Sequence, residues 1–186
     1  MRHVRRDEIV DYVTYEERRE ALRREAMAAK EARRVHLGDC FTLLFENRLS
    51  VRYQIQEMMR VERIVREADI QHEIDTYNEL LGGPGELGCT LLIEIDDAAE
   101  REAKLAAWHG LPERFYLVLP DGRRVYARMD ARQQDERRIS SVHYLKFDTG
   151  GAVPVAAGID YPGLATEVPL DARQRAALHD DLLDDT

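Results

Sequence analysis

Lysine, cysteine and tryptophan are scarce in this sequence of 186 residues. Two residues are cysteines, one is tryptophan, and only three of the 27 basic side chains are lysines. Cys40 and Cys89 lack CxxC or CxxxH spacing, which excludes a thiolate zinc site or an iron–sulfur cluster built from this chain alone. We therefore interpret each cysteine as a small buried side chain rather than as a redox thiol.

Long apolar runs and catalytic motifs are missing as well. No run approaches the ~20 residues that span a bilayer, and the opening MRHVRRDEIVDYV lacks the apolar core of a signal peptide. These absences predict a cytoplasmic protein that does not enter a membrane. The sequence also has no GxSxG, ExxH, HExxH or HxH motif, so it indicates neither a serine hydrolase nor a zinc enzyme.

Charge is plentiful but unevenly distributed. The net charge is -9, yet residues 1–66 carry 15 basic and 12 acidic side chains, whereas residues 67–186 carry 12 basic and 24 acidic ones. Nucleic-acid binding depends mainly on neutralising phosphates, so this balance argues against a nucleic-acid partner. An arginine-laced N-terminal region is instead typical of a surface that faces solvent or another protein.

The N-terminal region reads as a helical arm. Thr14 and Glu17 have the spacing of a capping box, and apolar residues recur among the charges that follow them. This pattern predicts an amphipathic helix over residues 15–33. We divide the chain accordingly into an N-terminal helical arm, residues 1–34, and a single α+β domain, residues 35–186.

The rest of the chain mixes hairpins and helices. Gly-Asp at 38–39 and Asp-Gly at 121–122 predict two tight turns, and CTLLIEID and SSVHYLKFD predict further strands, the latter after a polar Arg/Gln/Asp linker. A sustained βαβ rhythm is absent. We therefore predict an α+β fold in which an antiparallel sheet built from hairpins packs against a long central helix.

The central helix is predicted to begin near Asn47 or Ser50 and to stop at GGPGELG, with a break allowed around Ala68 to Ile70. Gly82 is interpreted as its C-terminal cap, followed by Pro84. The glycines close a helix and precede a strand, which is the reverse of a phosphate-binding loop.

Polar residues interrupt the apolar arc of this helix in VRYQIQEMMRVERI. At 100° per residue, Gln54, Glu57 and Glu62 project within a wide apolar arc. The arc consists of Val51, Ile55, Met58, Met59, Val61, Ile64, Val65 and Ala68. The opposite face, which we expect to meet solvent or a partner, carries Arg52, Gln56, Arg60, Arg63 and Glu67.

Two interpretations of the buried carboxylates stay open. An unpaired buried carboxylate is too costly to remain charged, so Glu57 and Glu62 need an arginine, a histidine, a metal or several donors. A network with Arg48 or Arg52 would be architectural. Alternatively, Glu57 is a ligand or a proton-transfer group near His143, which period-two alternation places with Leu145 and Phe147 on the core face.

The metal version has only weak candidates, and we expect no cofactor. Glu57, His72 and His143 are the residues to consider, with Glu73 and Asp75 on a turn beside His72. Glu57 and Glu62 stand about 140° apart on the helix, so one metal held by both would require a bent helix.

Several blocks resemble one bacterial family. They run from about Val35 to the C-terminal helix and comprise LLFENRLSVRYQIQEMMRVERI, EIDTYNELL, TLLIEI, SSVHYLKF and GIDYPG. The sequence resembles the family catalogued as domain of unknown function 3501. Genes for rubrerythrin-like proteins and iron–sulfur oxidoreductases tend to lie near those of the family, so the resemblance implies an accessory role in a redox or peroxide-handling system. Tyr161 stands where the family is expected to have histidine, so a ligand role at that position is in doubt.

Three functions follow from these patterns. The first is a non-catalytic accessory protein that binds a protein partner or forms a homodimer, with Arg52, Arg60 and Arg63 facing the partner. The second is a metal-dependent or acid–base enzyme that uses a buried Glu/His/Arg cluster. The third is a sensor in which Gln54 and Glu57 bind a small cationic or polar ligand.

Overall fold

The computed structural model describes residues 2–129 and 138–184. Its helices are α1 (Tyr12–Glu31), α2 (Arg48–Glu62), α3 (Glu67–Asn78), α4 (Ala98–Ala107) and α5 (Ala172–Leu183). Its strands are β1 (Arg34–Leu37), β2 (Phe41–Phe45), β3 (Glu86–Ile93), β4 (Phe115–Val118), β5 (Arg124–Tyr126), β6 (Arg128–Met129), β7 (Val142–Asp148), β8 (Ala156–Ile159) and β9 (Thr166–Pro169). The predicted α+β class is confirmed. Most of the polar linker predicted before β7 lies outside the described residues.

Two antiparallel sheets face each other across the main core. Sheet A has the strand order β1-β2-β3-β7-β6, and sheet B has the order β5-β4-β8-β9. Alternation along β2, β3 and β7 directs one face of sheet A, including Phe45, Leu91 and Phe147, toward Phe115 and Leu117 of sheet B. Sequence patterns predicted hairpins but not this second sheet.

Helices α1, α2 and α3 lie on the other face of sheet A. Glu46 joins the layers because its carboxylate accepts hydrogen bonds from Ser50 of α2 (2.5 Å) and Thr90 of β3 (2.7 Å). A smaller apolar cluster holds α2 to α3 and to the N-terminal segment. Its buried members are Val4, Ile9, Val51, Ile55, Met59, Ile70, Ile74 and Leu81.

Two side-chain amides fasten the N-terminal segment to this layer. Asn78 exchanges two hydrogen bonds with the Val4 backbone, at 2.8 and 2.9 Å. Gln56 does the same with Val10, at 2.8 and 3.2 Å. The sequence placed Gln56 on the exposed face of its helix, and that placement is wrong, because the segment before α1 buries it.

The first two helices differ from their predicted bounds. Helix α1 begins at Tyr12, because Asp11 accepts hydrogen bonds from the Val13 and Thr14 backbone amides in place of the predicted Thr14 cap. Helix α2 ends at Glu62, earlier than the break allowed for around Ala68.

The early end of α2 follows from its backbone. Arg63 adopts the left-handed conformation, with φ 55°, and its N–H reaches the Met59 carbonyl. Arginine at this position gives no sequence signal of the kind that glycine gives. The wide apolar arc therefore splits, and Val61 and Val65 are 65% and 73% exposed.

Gly82 does not cap a helix, since α3 ends at Asn78. It allows close packing instead. A Cβ atom on Gly82 would lie 2.2 Å from the Glu86 carbonyl oxygen, and one on Gly88 would lie 1.9 Å from that of Leu80. The segment after α3 can therefore lie directly on strand β3 only because both residues lack side chains.

A buried ion pair joins the end of α1 to helix α5. The Arg33 guanidinium donates two hydrogen bonds to Asp181, at 2.7 and 2.8 Å, and both residues are buried. Nearby, the Arg2 backbone N–H donates to the Asp184 carbonyl. The separation of residues 1–34 as an arm remains a prediction, but this arm is fastened to the rest of the chain along its length. No helix in the described ranges is both long and apolar enough to cross a bilayer.

Replacing Arg33 with methionine should destabilise the fold by about 3–5 kcal/mol, because Asp181 would remain buried without its partner. The double variant Arg33→Met/Asp181→Leu should recover most of that loss. Urea denaturation of the two single variants and the double variant measures this coupling. Additive single effects would show that the pair does not act as a unit.

Candidate functional site

The Glu57 carboxylate lies between α1 and α2 with donors on both oxygens. Its Oε1 accepts hydrogen bonds from the Tyr15 hydroxyl (2.6 Å) and Arg19 Nε (2.8 Å). Its Oε2 accepts from Arg19 Nη2 (2.9 Å) and Arg60 Nη2 (3.2 Å). The side chain is 16% exposed. We call Glu57, Tyr15, Arg19 and Arg60 the Glu57 network.

This arrangement keeps Glu57 ionised. The Arg19 hydrogen bonds, opposed by burial and aided by Tyr15 and Arg60, lower the pKa of Glu57 from 4.5 to about 2. Burial and the same carboxylate raise the pKa of the Tyr15 hydroxyl. A carboxylate with this pKa is a poor general base near neutral pH. The geometry therefore favours the architectural interpretation of Glu57.

Gln54 and Glu62 occupy different surroundings from Glu57. Gln54 is half-buried and lies near Tyr77 of α3, and burial raises the pKa of that tyrosine. Glu62 is exposed at the end of α2, so its predicted burial is wrong. The helix ends there, and no further turn covers it. The three polar residues of the arc therefore do not form one site.

The arginines that the sequence predicted for this cluster or for a partner surface also lie in different surroundings. Arg48 pairs with Glu8 at 2.5 Å, and Arg52 lies 3.9 Å from Glu25 of α1. Arg60 belongs to the Glu57 network. Among the three arginines predicted to face a partner, only Arg63 is exposed, because α1 itself covers much of Arg52 and Arg60.

His143 lies on the opposite side of sheet A from the Glu57 network. It stands opposite Leu91 in the β3–β7 pairing and is 1% exposed, on the core face as predicted. Neither ring nitrogen has a hydrogen-bond partner among the described residues. Burial lowers the pKa of His143 below 6.5. The neutral ring is therefore the favoured form.

The metal candidates are spread over three elements. Glu57 is on α2, His72 is exposed on α3, and His143 is enclosed between the sheets. Within residues 2–129 and 138–184, no three His, Cys, Asp or Glu side chains are grouped so that they could hold a metal ion. Glu73 and Asp75 accompany His72 on α3 without forming such a group.

Sequence reasoning missed Lys146, which lies on the outer face of β7. It is half-buried at the edge of a cleft, beside Arg128 of β6. The scarcity of lysine gave one available signal, since a chain that uses arginine almost throughout keeps lysine here. Strand alternation alone could not show that the end of α3 would fold over this position.

Family comparison agrees with the resemblance noted in the sequence. The model of the family described as "Protein of unknown function (DUF3501)" matches residues 3–182. The chain belongs to this family. A search of curated proteins gave no match.

A solved relative shares both sequence and fold with this DUF3501 member. It is described as a novel protein of unknown function from Burkholderia pseudomallei K96243. The two chains are 31% identical and superpose with a TM-score of 0.89, over 97% of this chain and 100% of the relative.

Changing Glu57 to Gln should cost about 1–3 kcal/mol of unfolding free energy at neutral pH, because Tyr15 and Arg19 lose a charged acceptor. The folded pKa lies below the unfolded value, so the wild-type contribution is complete above pH 4.5 and is lost as the pH falls toward about 2. The free energy of unfolding, measured by denaturation across this pH range, should vary less with pH for Glu57→Gln than for the wild type. Glu62→Gln, at an exposed site, is the matched control. Equal effects from the two variants would contradict the role of the Glu57 network.

His143 should make stability depend on pH closer to neutrality than Glu57 does. Its folded pKa is below the unfolded 6.5, so the unfolded chain takes up a proton first as the pH falls through that value. Wild-type stability should therefore decline between about pH 7 and pH 5. His143→Leu should remove much of this decline, whereas His72→Gln should keep it. Parallel profiles for wild type and His143→Leu would refute the assignment.

Proposed function

We propose that the protein is a cytoplasmic, non-catalytic accessory protein that works by binding a partner protein of a redox or peroxide-handling system. The redox association is what the family resemblance implies. The binding mode is supported by the structure of the helical layer.

The candidate catalytic groups are already engaged or lie apart. The Glu57 carboxylate is fully supplied with donors from its own chain, and Glu62 faces solvent. His143 lies across sheet A from both. An enzyme built on this trio therefore has less support than a binding protein. A sensor that uses Gln54 and Glu57 has a similar difficulty, because Arg19 already donates to both oxygens of the Glu57 carboxylate.

The thiols also favour an accessory role over direct redox chemistry. Cys89 is buried in the main core, and burial raises the pKa of its thiol well above its usual value. Burial likewise raises the pKa of the half-buried Cys40 thiol. A reactive thiol needs a lowered pKa. The protein would therefore assist a redox partner without exchanging electrons through its own cysteines.

An exposed apolar patch carries the proposal. The pairs Glu16–Arg60, Arg19–Glu57 and Glu25–Arg52 show that α1 and α2 run antiparallel, so the start of α1 lies beside the end of α2. Three exposed valines lie at this end of the helix pair, one at the start of α1 and two at or just after the end of α2, and we call them the valine patch. They are Val13, Val61 and Val65. An exposed apolar surface of this kind is typical of a protein-binding site.

Charge around the valine patch indicates the kind of partner. Arg63 and Arg66 are exposed beside it, and neither forms an ion pair within the described part of the chain. Of the exposed carboxylates nearby, Glu67 pairs with Arg6 and Glu16 lies 3.9 Å from Arg60. A partner with an apolar contact surface and acidic residues at its rim would fit both features.

The double change Val61→Asp/Val65→Asp should abolish capture of the partner in affinity purification from the native host. Carboxylates would be placed where the partner buries apolar surface. Val142→Asp, at an exposed valine of sheet A, is the matched control and should retain the partner. Circular dichroism should show that both variants fold.

The oligomeric state completes this test. Light scattering after size exclusion should give either a stoichiometric complex with the partner or, if the partner is a second copy, a homodimer that the double variant loses. A wild-type protein that remains a lone monomer at its cellular concentration, in native extracts as well, would refute the proposal.

A further inference from the structure

A cleft lies on the outer face of sheet A, between strands β6 and β7 and the segment that follows α3. Its volume is about 960 Å³, at the upper end of the range for small-molecule sites. Lys146 and Arg128 stand opposite each other in the β6–β7 pairing and line its base. Tyr77, Leu80 and Tyr144 supply its apolar and aromatic wall.

Lys146 is the unusual group in this cleft. Its ammonium donates a hydrogen bond to the Leu81 carbonyl. No carboxylate among the described residues lies within ion-pair distance of it, since neighbouring Glu86 pairs with Arg128. Lys104, by contrast, has a side chain that is 40% exposed, and its ammonium lies 2.6 Å from the Glu100 carboxylate. Burial lowers the pKa of Lys146 despite the attraction of Glu86 and Glu79.

A half-buried ammonium with one backbone acceptor has unused hydrogen-bonding capacity. It presents three donors, and only the Leu81 carbonyl is engaged among the described residues. Partial burial removes water that would otherwise meet the other donors. An anion in the cleft would restore both the charge balance and the hydrogen bonds.

The remaining lining limits the charge and shape of that anion. Asp75 and Glu79 also line the cleft, so a phosphate or a dicarboxylate would meet like charge there. The tyrosine and leucine side chains suit an apolar or planar body. A ligand with a single negative charge on an apolar body fits both the charged and the apolar residues of the lining.

We propose that this cleft binds a small organic monocarboxylate with an apolar or aromatic body, and that Lys146 is its counter-ion. The site is distinct from the valine patch and does not depend on the proposed partner. Gly88 lies opposite Lys146 in the β3–β7 pairing. Its missing side chain lets the segment after α3 place the Leu81 carbonyl over the lysine.

Benzoate and its neutral isostere benzamide test the proposal by titration calorimetry on the full chain. Benzoate should bind at least about tenfold more tightly than benzamide. Lys146→Met should remove this preference and leave benzamide binding unchanged, and Lys146→Arg, which keeps the charge, should restore part of it. Lys104→Met is the matched control at a lysine that already pairs with a carboxylate, and it should behave as wild type.

The three lysines allow a second, site-resolved readout. Acetylation of the native protein followed by peptide mass spectrometry reports the reactivity of Lys30, Lys104 and Lys146 separately. Benzoate should slow acetylation of Lys146 alone, whereas benzamide should protect none of the three. This measurement needs no variant, so it holds even if Lys146→Met fails to fold.

Three results would overturn the proposal. The first is equal binding, or no binding, of benzoate and benzamide by the wild type. The second is a benzoate preference that survives in Lys146→Met. The third is benzoate binding that leaves the acetylation rate of Lys146 unchanged.

Discussion

The packing of α1 against α2 depends on one carboxylate that cannot stay buried without donors. Glu57 faces the neighbouring helix, and Tyr15 and Arg19 of α1 supply the donors. Breaking such a contact leaves a partly buried charge unpaired, so the two helices are held in one register. The valine patch follows from that register, because it brings the start of α1 to the end of α2.

Sheet A separates two environments of different chemistry. Its inner face packs on sheet B through a continuous apolar core, and there His143 is an isolated polar group. Its outer face carries Thr90 and Lys146, whose hydrogen bonds reach Glu46 and the Leu81 carbonyl. Period-two alternation assigns each strand residue to one of these environments. The groups predicted to form one catalytic cluster were therefore divided by the sheet itself.

Local patterns predicted much of this fold. Turn residues at 38–39 and 121–122 located two hairpins, and alternation in β7 placed His143 correctly in the core. The predictions that were wrong concerned contacts between distant parts of the chain or a backbone conformation that the residue type does not indicate. Gln56 looked exposed because only the folded chain brings Val10 onto it. Arg63 ends a helix without glycine, which stretched the predicted apolar arc too far.

The close approach between the segment after α3 and strand β3 has a consequence for how the sequence can vary. Gly82 and Gly88 do not line the base of the cleft as Lys146 does, yet the position of the Leu81 carbonyl depends on both. A methyl group at either position would push the segment off the sheet. Substitutions at these glycines and at the lysine are thus not independent: relatives that lose one have less reason to keep the other two.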